Sequence, residues 1–157
     1  MNLNLLVVGK TDVNWVRDAL EVYVSRLSHY ARFHLVEIPQ LKNVSALSRT
    51  EIKEKEGSLI LGKVRPTDEV FLFDEHGRQY TSVEFASFLQ EKTVRARGDL
   101  FFVIGGAYGF SDAVHSRADG EISLSKMTFS HQMVRAIAAE QIYRAFTIMK
   151  GEPYHNE

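Results

Sequence analysis

The sequence has no cysteine among its 157 residues, so neither a disulfide framework nor a thiolate metal site is possible. Long hydrophobic runs are also missing. The apolar run at residues 100–104 is far too short to span a membrane. The first ten residues lack a basic leader, and their apolar run covers only residues 5–8, which predicts a strand rather than a signal peptide. We therefore expect a cytoplasmic protein with no membrane partner.

An excess of one charge sign is missing as well. The chain carries 19 basic and 20 acidic residues, a net charge of −1. A protein that binds naked nucleic acid mainly through phosphates is normally more basic, so this balance argues against a general RNA or DNA binder. It does not exclude recognition of a structured site through a local patch or a dimer. The length and the 45% hydrophobic content predict one globular domain over residues 1–157.

The stretch 99–110, DLFFVIGGAYGF, holds the strongest local signal. Its aromatic and β-branched run predicts a fully buried central strand, and Gly105, Gly106 and Gly109 follow it. One interpretation is a tight turn that leaves a core strand. The other is a ligand loop, because open α/β sheets bind ligands at the carboxyl ends of their strands. The glycine spacing matches neither the dinucleotide fingerprint nor the P-loop.

Strand and helix patterns alternate along the rest of the chain. Strands are predicted at residues 3–8, 33–38, 70–73, 100–104 and 121–124, and a turn is predicted at 74–77 after the third. Helix starts are predicted at residues whose side chains can cap: Thr11 or Asp12, Ser48, Thr81, Ser111, and Ser130 or His131. This order predicts an α/β protein with a mostly parallel sheet and helices on both faces.

Two of the helices carry further predictions. The helix from Ser48 is rich in charge, and its charged residues form either a solvated face or an RNA-facing patch. The last helix, which ends near Lys150, is apolar over more than half of its circumference. Such a helix buries more than one face, so we expect one face on the sheet and another against a second subunit.

Residue chemistry alone singles out few functional candidates. The hydroxyl-rich segment 123–130 suits either ligand recognition or ordinary caps and turns. His115, His131 and His155 are too scattered to support a metal site. The polar tail, residues 151–155, is expected to be a frayed end.

Three blocks in the last third resemble one known family in order and spacing: FFVIGGAYGF, SLSKMTFSHQMVRAIAAEQIYRAF and GEPYH. The opening LNLLVVGK, the KEKEG segment and the length agree as well, so the resemblance covers essentially the whole chain. The chain resembles the small SPOUT-superfamily enzymes that methylate N3 of a pseudouridine in bacterial large-subunit (23S) ribosomal RNA.

The resemblance implies a C-terminal trefoil knot, a homodimer, and S-adenosylmethionine as methyl donor, with no metal. Gly105 and Gly106 are expected to leave room for the cofactor, and Phe73 or Leu124 to pack on its adenine. The chain departs from the family pattern at Ser130, where we expect proline. Serine caps a helix well, so the fold is not affected. The implied cofactor contacts are Phe73, Gly105, Leu124, Ser125, Lys126, Met127, Thr128 and Phe129.

The resemblance and the residue chemistry together assign roles in the reaction. His155 is the expected general base for the N3 proton. Tyr154 is expected to stack on or hydrogen-bond the target base, and Arg135, with Arg144, to hold phosphate. A site preformed in the assembled ribosome would make strong phosphate affinity unnecessary. Two alternatives stay open: a SPOUT methyltransferase that acts on another RNA such as tRNA, and a non-catalytic dimeric binding protein.

Overall fold

The computed structural model describes residues 1–156, and a five-stranded parallel sheet forms its centre. The sheet order is β2-β1-β4-β3-β5, and every neighbouring pair of strands is parallel. The central strands are short apolar runs buried on both faces, as is typical of a parallel sheet. The predicted α/β class is therefore confirmed. The strands are β1 (Asn2–Val8), β2 (Arg32–Ile38), β3 (Glu69–Gln79), β4 (Leu100–Ile104) and β5 (Gly120–Ser123).

Helices cover both faces of the sheet. Side chains alternate between the faces along each strand. Leu5 and Val7 join the core under α1, α3 and α5, while Leu6 and Val8 join the core under α2 and α4. The helices are α1 (Asn14–Leu27), α2 (Arg49–Leu61), α3 (Ser82–Arg95), α4 (Asp112–Arg117) and α5 (Met133–Met149).

Local capping sets three of the five helix starts as predicted. Ser48 caps α2 in a reciprocal capping box with Glu51, Thr81 caps α3, and Ser111 caps α4. The predicted cap of α1 was wrong. That helix begins after Val13 without a side-chain cap, because Thr11 is engaged elsewhere, in contacts with residues of β2 and α5.

Strand β3 is longer than predicted. Phe73 and Arg78 both pair with Ile122 of β5, so the chain leaves the ladder at residues 74–77 and then returns to it. The predicted turn exists inside this bulge, where Asp74 Oδ1 accepts a hydrogen bond of 2.8 Å from the His76 amide. The predicted end of the strand at residue 73 was wrong, since a single sequence gives no sign that pairing resumes.

The last helix is apolar on several sides because it packs against α1 and α3 as well as the sheet. Ala138, Ala139 and Ala145 are almost completely buried, and their small side chains permit a close approach. Apolar side chains on more than one side of α5 therefore pack within one chain. Within residues 1–156, no helix has the length and apolar character needed to cross a membrane.

Candidate active site at the carboxyl edge of the sheet

A cavity of about 730 Å³ lies where β4 and β5 end and where β3 reaches its bulge. Because the strands are parallel, their carboxyl ends meet at one edge, which is where open α/β sheets bind ligands. Its volume falls within the range of small-molecule and cofactor sites. Phe73 and Ile104, the last paired residues of their ladder, stand in its wall with the segment that follows β5.

The cavity gathers most of the residues that the sequence proposed for the cofactor. Lys126 is an exposed residue that is not in the lining. One connected space thus brings together proposed cofactor residues that lie 56 positions apart in sequence, from 73 to 129. The proposed residues in the lining are Phe73, Gly105, Leu124, Ser125, Met127, Thr128 and Phe129.

The glycine loop forms both a turn and a wall of this cavity. The Gly109 amide donates to the Gly106 carbonyl at 3.2 Å, and Gly109 has φ of +84°, which favours glycine. The two interpretations of this loop are therefore compatible.

The expected reason for the first two glycines needs correction. A Cβ at Gly105 would lie 3.0 Å from the Phe110 ring, and one at Gly106 would lie 2.6 Å from a carboxylate oxygen of Glu56. The space that these glycines leave is filled by the protein itself. They allow the loop to pack closely, and their backbone, rather than vacant space, faces the cavity.

Hydroxyl groups order the segment between β5 and α5. Ser123 Oγ donates to the Ser125 carbonyl at 2.9 Å, and Ser125 Oγ accepts from the Met127 amide at 3.0 Å. Ser130 Oγ accepts from the Met133 amide at 3.1 Å, so serine supports the turn before α5 in the place where proline was expected. The predicted start of α5 at Ser130 or His131 was too early, because the helix begins at Met133 and its N-cap, Gln132, makes no side-chain cap bond. These hydroxyls act as turn formers and caps.

Glu56, a buried carboxyl group behind the glycine loop, was missed in the sequence. It lies on α2, and its Oε1 is the buried side-chain polar atom in residues 1–156 that has no hydrogen-bond partner. Burial raises the pKa of Glu56. A glutamate in a polar helix looks like a solvated charge, so only the packing against Gly106 reveals it.

Arg135 lies on α5 outside the cavity lining, with its guanidinium buried. Its nitrogens donate to the carbonyls of Val8 at 2.7 Å, Gly9 at 2.9 Å and His131 at 3.1 Å, and to Thr11 Oγ1 at 2.9 Å. Burial lowers the pKa of this guanidinium. The structure therefore does not place Arg135 where phosphate was expected, but uses it to join the end of β1 to the start of α5.

The C-terminal tail is packed rather than frayed, so that prediction was wrong. Tyr154 Oη donates to Glu140 Oε1 at 2.9 Å, and its ring contacts Tyr143 at a centroid distance of 4.8 Å. Arg144 lies over the Tyr154 ring at 4.8 Å and is 3.2 Å from His155 Nδ1. Burial is the largest of the effects that raise the pKa of Tyr154, so its phenol stays neutral.

One chain does not bring the tail to the cavity. Neither Tyr154 nor His155 is in the cavity lining. Helix α5 begins beside the cavity, where Val134 lines it, and the tail follows the other end. The 17 residues of that helix span about 25 Å. The proposed cofactor residues and the proposed catalytic residues thus form two separate clusters.

Comparison with known proteins decides the family. Residues 1–155 match the family model described as "Predicted SPOUT methyltransferase". The chain belongs to the SPOUT methyltransferase family. The predicted enzyme class is thereby confirmed: this is a methyltransferase, and the family implies a C-terminal trefoil knot and the use of S-adenosylmethionine.

Curated relatives within the SPOUT family match this chain over its full length. Proteins named "Ribosomal RNA large subunit methyltransferase H" from Parabacteroides distasonis and Flavobacterium psychrophilum are 50% and 52% identical over 157 residues, which is 100% of both chains in each case. The protein of that name from Porphyromonas gingivalis is 50% identical over the same length. In residues 1–156 of this SPOUT protein, no cluster of three or more metal-ligating side chains is found.

Proposed function

We propose that this chain transfers a methyl group from S-adenosylmethionine to N3 of a pseudouridine in large-subunit (23S) ribosomal RNA, in the cytoplasm and on assembled ribosomes. The names of the relatives support the RNA substrate. The observation that carries the proposal is the cavity at the carboxyl edge of the sheet, which has the size of a cofactor site.

The lining of the cavity suits an adenosyl cofactor with a charged amino-acid end. Phe73 is held face to face with Phe102, with a centroid distance of 5.5 Å and an interplanar angle of 18°, so it offers a fixed apolar wall with Leu124. The exposed backbone of the glycine loop and of residues 124–129 supplies donors and acceptors. When bound, S-adenosylmethionine supplies an electrophilic methyl group on a sulfonium.

The nucleophile has to lose its proton, because neutral N3 is a poor nucleophile. His155 is our candidate for the group that takes it. Arginine can only donate, so the contact from Arg144 assigns the acceptor role to Nδ1 and the proton to Nε2. His155 would therefore accept the N3 proton after Arg144 releases Nδ1, and a substrate phosphate that binds Arg144 would favour that release.

The other candidates act around this step. Tyr154 is a neutral phenol with a fixed ring, and we propose that it holds the target base. Arg135 receives a positioning role instead of the phosphate contact first expected. Its bonds to two carbonyls at the end of β1 and to the His131 carbonyl fix the loop from which α5 starts.

A homodimer would unite the two clusters. Since the tail lies one helix length away from the cavity of its own chain, the substrate would need the tail of a second copy. In a symmetric dimer whose twofold axis crosses α5, the tail of each chain would lie towards the cavity of the other. We therefore propose a symmetric dimer with composite sites, in which one chain supplies the cofactor cavity and its partner supplies the tail.

Methyl transfer from labelled S-adenosylmethionine tests the function. The substrates are ribosomes that lack the modification, free large subunits, naked rRNA and tRNA. We expect label on one pseudouridine of assembled ribosomes. Label on tRNA alone would support the other RNA as substrate, and no cofactor binding at all would support a non-catalytic protein. A His155→Ala variant with wild-type single-turnover rates would exclude His155 as the base.

A further inference from the structure

Helix α2 presents a basic edge to the cavity. Arg49 and Lys53 are one helical turn apart and both line the cavity. Lys55 and Glu51 also lie on α2, but both are exposed and outside the lining. The charges of this helix thus divide into a solvated face and a face towards the cavity.

The basic edge carries charge that the described part of the chain does not neutralise. Neither Arg49 nor Lys53 forms an ion pair with a carboxylate within residues 1–156. The Arg49 guanidinium lies over the ring of Tyr108 at 5.0 Å, which orients it without cancelling its charge. Tyr108 lies within the glycine loop, and its side chain is 45% exposed, so one face of the ring is open to a ligand.

The far side of the cavity has the opposite charge. Asp74 and Glu75 stand in the lining at the bulge of β3. One carboxylate oxygen of Asp74 is already hydrogen-bonded, because Oδ1 accepts from the His76 amide. A polyanion that approaches this cavity is therefore repelled from the β3 side and attracted to the α2 side.

The geometry points to Arg49, Lys53 and Tyr108 as a docking edge for single-stranded RNA. The two cations hold a phosphate of the rRNA strand that enters the cavity, and the Tyr108 ring stacks on an unpaired base beside the target. An arginine beside an aromatic ring is a common means of holding unpaired nucleotides. This inference rests on the proposed function. It explains how a chain with a net charge of −1 recognises RNA through a local patch.

Substitutions separate the phosphate contact from the stacking contact. We expect the Arg49→Ala, Lys53→Ala double variant to raise the KM for unmodified ribosomes on the order of tenfold and to reduce the slope of log affinity against log salt by roughly 1 for each lost cation. Tyr108→Ala is expected to raise KM without a change in that slope, and Tyr108→Phe to restore it, because stacking needs only the ring. Lys55→Ala is the matched control and should behave as wild type.

Calorimetry of S-adenosylmethionine binding decides whether the two cations hold an RNA phosphate or the carboxylate of the cofactor. The quantity compared is the dissociation constant of the cofactor. We expect it to stay unchanged in the double variant, with kcat and the thermal midpoint also unchanged. Weaker cofactor binding with normal ribosome affinity would assign the two cations to the cofactor carboxylate and overturn the docking edge. The docking edge would also be overturned if the wild type methylated ribosomes and the variants showed the same KM and the same salt dependence. No transfer by the wild type would overturn the proposed function, and the docking edge with it.

Discussion

At the scale of single residues, Glu56 shows how burial changes an ordinary side chain. Its carboxyl group lies against Gly106, and Oε1 lacks a partner. Desolvation disfavours the charged form and raises the pKa of Glu56. The native state therefore holds this proton more tightly than the unfolded chain does. It follows that the free energy of unfolding decreases as the pH rises above the ordinary value of 4.5.

Glu56→Gln tests this assignment. The amide has a similar shape and stays neutral, so we expect the variant to be more stable than the wild type by roughly 1 kcal/mol at pH 8, with the difference vanishing near pH 4. Urea denaturation across this pH range measures it. Glu54→Gln, at an exposed position on the same helix, is the control and should not change the pH dependence. If the free energy of unfolding of wild type and of Glu56→Gln depended on pH in the same way, Glu56 would not be a buried carboxyl group that titrates in this range.

Arg135 shows why residue roles were harder to predict than elements. An arginine in the first turns of a helix normally lies at a solvated or salt-bridged surface, and near a proposed RNA site it suggests phosphate. Its real acceptors, the carbonyls of Val8 and Gly9, lie 127 and 126 positions away in sequence. No local pattern encodes such a contact. The strand pattern offered the loop with Gly105 as a possible ligand loop, whereas the position of Leu124 in the cavity was found only through the family resemblance.

At the scale of elements, local signals predicted the starts of α2, α3 and α4. The Ser48 and Glu51 capping box lies within four residues, so its physics is contained in the sequence window that was read. The end of β3 was predicted wrongly for the converse reason. The pairing of Arg78 with Ile122 depends on another strand, and no sequence pattern near residue 78 predicts it. The tail was misjudged likewise, because Tyr143 and Glu140 on α5 supply its contacts.

The bulge in β3 makes a prediction at this scale. Gly77 passes so close to β5 that a Cβ would lie 2.6 Å from the Glu121 carbonyl carbon and the Ile122 nitrogen. We expect Gly77→Ala to destabilise the protein by about 2 kcal/mol, since backbone atoms on two strands would have to separate. Cofactor binding should weaken too, because residues 74–76 line the cavity. Chemical denaturation and calorimetry measure the two effects.

Gly62 offers a control for that substitution. It ends α2 with φ of −65°, a conformation open to any residue, and the nearest atom to an added Cβ is 3.3 Å away. Gly62→Ala should leave cofactor affinity unchanged and stability almost unchanged. If Gly77→Ala behaved in the same way, the close contact between the bulge and β5 would not exist in solution.

At the scale of the whole molecule, the separation of cavity and tail predicts complementation between subunits. Leu124→Trp should block the cavity, and truncation after Gly151 should remove Tyr154 and His155, so each variant alone is expected to be inactive. A remixed dimer of the two has one intact composite site. We expect equal mixing to recover about a quarter of wild-type activity, since half of the dimers are mixed and each has one of two sites.

Sedimentation with and without cofactor provides the independent check on that experiment. A monomer at assay concentration, or full activity of the truncated chain, would show that each chain completes its own site. If mixed dimers formed but the mixture were no more active than either variant alone, the conclusion would also be that two chains do not share a site. Transfer at the expected fraction would establish that neighbouring chains share the reaction.

The order of strands in the sheet also has a consequence for how the protein is made. Strand β1 is synthesised well before β4, yet β4 is one of its two partners, and the Asn2 amide is bonded to Asp99. Its apolar face is then covered by α5, which is synthesised after all five strands. Contacts between such distant segments slow folding, and the core around β1 stays incomplete in the nascent chain until α5 emerges. A protein whose proposed substrate is the ribosome thus completes this core only once α5 has left one.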